Sequence, residues 1–108
     1  MGLVYLLMTN DGLAEMYKIG ITRSDVNKRI KSLQTGNSLK IEVLHTYETP
    51  NYKLLERWLH SRFNMSKTQA DNEWFYIPNA DVLAFKDICK KGDNIISMML
   101  RDNPFFKA

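Results

Sequence analysis

Glu56 and His60 stand four residues apart in YKLLERWLHSRF (52–63), the spacing that stacks two side chains one turn apart on a helix. Leu55, Trp58, Leu59 and Phe63 form the apolar stripe of that helix, so Glu56 and His60 occupy a neighbouring face. A single carboxylate among basic residues suits a hard cation such as Mg2+ or Mn2+, whose other positions are filled by water and substrate phosphate. An exposed Glu56 paired with His60 or Arg57 is the competing reading. Arg29, in DVNKRI (25–30), also has two readings. Its neighbour Ile30 belongs to a Val26, Ile30, Leu33 stripe, which puts the guanidinium where core meets solvent, its stem held and its fork able to meet a phosphate. A solvated arginine is the alternative. Zinc is poorly supported, because His45, His60 and Cys89 lack close ligand spacing.

Charge favours a phosphate-bearing partner. The net charge of +3 is mild, but Lys18, Arg23, Lys28, Arg29, Lys31, Lys40, Lys53, Arg57, Arg62 and Lys67 crowd the middle of the chain against Asp25, Glu42, Glu48 and Glu56. Arg23, Lys28, Lys31, His60 and Lys67, the last in the polar stretch NMSKTQAD (64–71), are candidate DNA contacts. Wrapping by nucleic acid is not expected, since the rest of the chain is net acidic.

The elements that must hold these groups follow from periodicity. LVYLLM (3–8) is apolar on both faces and reads as a central strand. Asn10, Asp11 and Gly12 turn the chain into a second strand, where Tyr17, Ile19 and Ile21 face one way and Lys18, Gly20 and Thr22 the other. Gly20 marks either a bulge, the favoured reading on composition, or a close approach. A short helix over VNKRIKSL ends at Gly36 and Asn37, and IEVLHTY (41–47) forms a third strand with Ile41, Val43, His45 and Tyr47 on one face. Asn51 is a candidate N-cap for the Glu56 helix. NEWFYIP (72–78) reads as extended, with Trp74 and Tyr76 opposed to Phe75 and Ile77. Asn79 opens a helix that Gly92 ends, leaving an apolar tail with Ile95, Ile96, Met98, Met99, Leu100, Phe105 and Phe106.

The fold class is therefore α+β: a three-stranded antiparallel sheet flanked by helices, with a helical C-terminal tail. The expected organisation is one domain over 1–92 and a tail over 93–108 that packs on it, giving a monomer, with a homodimer through the tail as the alternative. The chain has no run long enough to cross a membrane and no secretory signal, and the lone Cys89, beside Ile88, reads as a structural thiol. An intracellular protein is expected.

LVY at 3–5, KIG at 18–20, Arg29, Glu56, LERWLHSRF at 55–63 and EWF at 73–75 occur in an order that resembles the GIY-YIG nucleases, closest to a divergent phage and bacterial branch. Lys18 stands where the second motif has Tyr, Leu3 where the first has Gly, and the late active-site Asn falls on Asn64 or Asn72. The resemblance implies a DNA endonuclease or nicking enzyme using one divalent cation, Mg2+ or Mn2+, with Glu56 as metal ligand, Arg29 on the phosphate, and Tyr5 and Lys18 on the water side. Lys18 has three readings: it acts on Tyr5 through its charge, serves as a base, or grips phosphate. The alternative function is a nucleic-acid-binding domain of the same fold with weak or lost cleavage.

Overall fold

The computed structural model describes residues 1–35, 39–63 and 74–102. Its elements are β1 (Gly2–Asn10), β2 (Glu15–Thr22), α1 (Val26–Thr35), β3 (Glu42–Thr49), α2 (Tyr52–Arg62), α3 (Asn79–Leu83) and α4 (Phe85–Asp102). The strands form one antiparallel sheet in the order β2-β1-β3, with β1 central as its two apolar faces require. The β1–β2 turn is held by local side chains: the Asp11 carboxylate accepts the N–H groups of Leu13 and Ala14, Asn10 accepts that of Gly12, and Gly12 takes a φ of 91°.

Each sheet face carries its own core. Val4 and Leu6 of β1 and Tyr17 and Ile19 of β2 face α2 and α4, where Leu55, Leu59, Phe63, Phe85, Ile88, Cys89 and Ile96 complete the larger cluster. Tyr5 and Leu7 face the other way, against Ile41, Trp74 and the half-buried Val26, Ile30 and Leu33 of α1. Leu55 and Leu59 are fully buried, and burial of such a side chain contributes about 1.5–3 kcal/mol. These two anchors fix the rotation of α2, and with it the direction of Glu56.

Four local expectations are corrected. Gly20 pairs regularly with Tyr5, with no bulge between β1 and β2; it is a close approach, since an added Cβ would lie 2.5 Å from Tyr5 Cζ. The irregularity lies instead in β3, where the pairing steps from Leu6–His45 to Leu7–Val43 and leaves Leu44 as the extra residue. That bulge puts Ile41 in the Tyr5 cluster while His45 stacks on Phe85 and Tyr47 packs on the larger core, so the four residues do not share a face. Asn51 makes no side-chain cap; its amide donates to Asp93 and Ser97 of α4. Gly92 does not end a helix but lies inside α4, where a Cβ would come 2.5 Å from the Trp58 ring, so the missing side chain lets α2 and α4 approach.

α4 runs into the apolar tail, and Ile96 is buried on the domain. Phe105 and Phe106 lie outside the described residues, as do Gly36 and Asn37. An apolar groove of about 150 Å3 runs between Leu54 and Trp58 of α2 and Ile96, Met99 and Leu100 of α4. Among the described residues, no helix is long and apolar enough to cross a membrane.

Candidate functional site

β2 is an edge strand, and its outer edge divides into two parts. Tyr17 exchanges both main-chain hydrogen bonds with Phe75, at 2.8 and 2.7 Å. By the alternation of an antiparallel strand, the main-chain groups of Ile19 and Ile21 also point outward. There the edge opens into a cleft of about 180 Å3 lined by Tyr5, Lys18, Ile19, Gly20, Ile21, Arg29, Glu56 and His60. Tyr5, Lys18 and Gly20 reach it from one sheet face, with Arg29 from α1, whereas Glu56 and His60 come from α2 on the opposite face.

α1 starts where the Asp25 carboxylate accepts the N–H of Asn27, 2.9 Å away. Its Val26, Ile30, Leu33 stripe rests on the Tyr5 cluster, which leaves the exposed Arg29 beside the cleft. Arg29 Nε donates to the Tyr5 phenol oxygen over a long 3.4 Å, and Tyr5 as a whole is 1 % exposed. The phenol therefore presents one fixed oxygen, packed over Gly20. Lys18 is 7 % exposed, with its ammonium 6.0 Å from the centroid of the Trp74 ring. A buried cation in an open cleft favours anions nearby.

On α2, the half-buried Glu56 carboxyl is raised above the ordinary carboxylate range, chiefly by desolvation, with His60 and Lys18 pulling in the opposite direction. Its charged form is short of water, and a bound cation would relieve that cost. One carboxylate oxygen donor and open volume for water and a phosphate are what a hard divalent ion would use here, although among the described residues no group of three or more His, Cys, Asp or Glu converges. His60 lies one turn further on. Its Nε2 donates to the Ile19 carbonyl at 2.9 Å, and its ring meets Phe75 edge-on at 5.2 Å.

The cleft thus brings together Tyr5, Lys18, Arg29, Glu56 and His60 from the sequence reading. Arg23, Lys28 and Lys31 are exposed on α1 and its approach, away from the cleft lining. Lys67 lies outside the described residues, as do Asn64, Asn72 and Glu73. His45 is excluded from the cleft by its stack on Phe85, 5.8 Å between centroids. Cys89 is fully buried, and desolvation pushes its thiol up to about 12, with Asp93 adding to the effect, so it is packing and not a nucleophile. Sequence reading missed Trp74 as the floor under Lys18. Its parity opposite Phe75 was the available signal, because Phe75 pairs with the edge of β2 and so turns Trp74 to the Tyr5 side.

A family model described as the T5orf172 domain matches residues 2–90. No curated protein and no solved structure matches the chain. The T5orf172 match overturns the resemblance to the GIY-YIG nucleases, which are a different family. The physical departure is visible in the second strand: Tyr17 points into the larger core, hydrogen-bonded to Glu15, and Lys18 holds the cleft position. The matched family is nuclease-like and DNA-binding in character, which points to nucleic acid as the partner.

Proposed function

We propose that the chain, which belongs to the T5orf172 domain family, hydrolyses DNA phosphodiester bonds with one divalent cation, Mg2+ or Mn2+, as an endonuclease or nicking enzyme. The observation that carries this reading is the convergence of Tyr5, Lys18, Arg29 and Glu56, from four separate elements, on the cleft at the β2 edge. Two cationic side chains and one desolvated carboxyl there form a surface suited to a phosphate together with a metal ion.

In the proposed reaction a water oxygen bonds to phosphorus as the bond from phosphorus to a deoxyribose oxygen breaks. The leaving oxygen takes up a proton, and the cut strand ends in a phosphate and a hydroxyl. Arg29 presents its guanidinium to the non-bridging oxygens, where charge develops, from a position braced against Tyr5. Lys18 adds a fixed positive charge that water screens poorly. The Tyr5 phenol, immobilised by packing, orients the attacking water by hydrogen bonding. Glu56 holds the cation, which when bound supplies Lewis-acid stabilisation of the phosphoryl oxygens. Arg23, Lys28 and Lys31, with Lys67, engage the neighbouring backbone phosphates.

Conversion of supercoiled plasmid to open-circle or linear DNA, compared in Mg2+, Mn2+, Ca2+ and chelator, tests the proposal. Conversion that requires Mg2+ or Mn2+ and is lost in Arg29→Ala supports it. A folded protein that binds DNA yet leaves the plasmid intact in every metal overturns it in favour of a binding domain.

A further inference from the structure

His60 lines the cleft with Glu56, whereas Arg23, Lys28 and Lys31, with which the sequence groups it, lie outside that lining. Its Nε2 is committed to the Ile19 carbonyl at 2.9 Å, so in the neutral ring that nitrogen carries the proton and Nδ1 is the lone-pair nitrogen. A histidine tied in this way through one nitrogen to a backbone carbonyl has the arrangement usual for metal-ligating imidazoles, in which the second partner fixes both tautomer and ring orientation. Phe75 fixes the ring further by edge contact. Helical side chains lean toward the N-terminus of their helix, which inclines His60 toward the turn bearing Glu56, and both side chains line the same cleft.

We infer that His60, through Nδ1, is the second protein ligand of the cation held by Glu56, and that the site accordingly selects Mn2+ over Mg2+. The inference rests on the metal-dependent reading above and sharpens it. An all-oxygen site formed by one carboxylate and phosphates suits Mg2+, whereas an imidazole nitrogen shifts preference toward transition ions. Two ligands from one helix face, with water and phosphate in the remaining positions, also give an open site without a third protein donor.

The test is binding of Mn2+ alone, followed by loss of its free-ion electron paramagnetic resonance signal, with Mg2+ as competitor. His60→Gln retains an amide donor for the Ile19 carbonyl, and His60→Asn is a second variant in case Gln perturbs folding; thermal melting checks both. The expected result is Mn2+ binding weakened about tenfold or more in either folded variant, as loss of a metal-supporting group produces, with Mg2+ competition almost unchanged and the Mn2+ to Mg2+ preference collapsed. Unchanged Mn2+ affinity in folded His60→Gln, alongside weakened affinity in Glu56→Gln, overturns the His60 assignment and leaves the Glu56 site standing. Weakened DNA binding with unchanged Mn2+ affinity likewise overturns it and returns His60 to the phosphate contacts. Failure of the wild type to bind Mn2+ overturns both this inference and the metal-dependent function.

Discussion

Gly20→Ala tests whether the cleft depends on the placement of one phenol. The added Cβ would lie 2.5 Å from Tyr5 Cζ and closer still to the phenol oxygen, where ordinary contact begins at 3.4 Å, so ring or strand must give by about 1 Å. Tyr5 is 1 % exposed and enclosed by Leu7, Ile41, Trp74 and the α1 stripe, so the displacement cannot pass into solvent without disturbing that cluster. Overpacking of this kind costs about 1–3 kcal/mol, and a domain of this size loses roughly 4–8 °C in melting temperature for each kcal/mol. A misplacement of about 1 Å at a reacting geometry is worth on the order of 10²-fold in rate. Single-turnover cleavage of a labelled duplex at a temperature where the variant is fully folded should therefore fall by about that factor, with DNA binding little changed because Lys28 and Lys31 are untouched. If the effect passes through the phenol oxygen, adding Gly20→Ala to Tyr5→Phe should cost less than it does alone. A Gly20→Ala protein that melts and cuts like wild type, or a loss fully additive with Tyr5→Phe, would show that the cleft does not depend on where this phenol sits.

Three further outcomes are expected. Gly92→Ala should destabilise in urea titration, because crowding of Trp58 and Leu55 at 2.5 and 2.9 Å, worth about 1–3 kcal/mol, outweighs a helix gain of about 1 kcal/mol. Burial pushes the Tyr17 phenol up to about 12, with the Glu15 hydrogen bond adding to the effect. A folded-state value above the ordinary 10 contributes stability that is complete below pH 10 and lost as pH rises from 10 toward 12, and Tyr17→Phe should flatten that part of a stability-against-pH curve. Lys28→Ala with Lys31→Ala should leave melting unchanged but make the dependence of log affinity on log salt shallower by about 0.9 for each phosphate contact removed.

Most of the architecture was legible where the sequence alternates or steps cleanly. β1 is apolar on both faces and central, β2 separates Tyr17, Ile19 and Ile21 from Lys18, Gly20 and Thr22, and the Val26, Ile30, Leu33 stripe seats α1. The β3 bulge was not legible, because IEVLHTY alternates acceptably in either phase and only pairing with β1 breaks the register at Leu44. Gly92 has the composition of a helix stop, and nothing local reports that Trp58 packs onto it. Asn51 has cap chemistry, but its side-chain N–H donates to Asp93 and Ser97, distant in sequence, and the side chain is held there and makes no cap. Asp93 also accepts the hydroxyls of Tyr47 and Thr49, a junction between α4 and β3 that no spacing rule reveals. At the site, the apolar stripes placed Glu56 and Arg29 beside a buried face but left each open between a solvated side chain and a site residue. The cleft itself was not, because it exists only where two sheet faces meet at the strand edge.

Glu56→Gln, assayed in parallel for metal-dependent cleavage and for DNA binding, separates a metal ligand from a merely half-buried carboxylate. Because burial raises the Glu56 carboxyl, its ionised form costs the fold stability at neutral pH, a contribution favourable only below the ordinary carboxylate range. The variant should therefore melt at or above the wild-type temperature in the absence of metal, so any loss of activity is not a loss of fold. Cleavage in Mg2+ and Mn2+ should disappear while DNA binding is retained or slightly tightened, one negative charge having left a phosphate-binding cleft. Cleavage by folded Glu56→Gln at the wild-type rate would contradict the assignment of Glu56 as metal ligand.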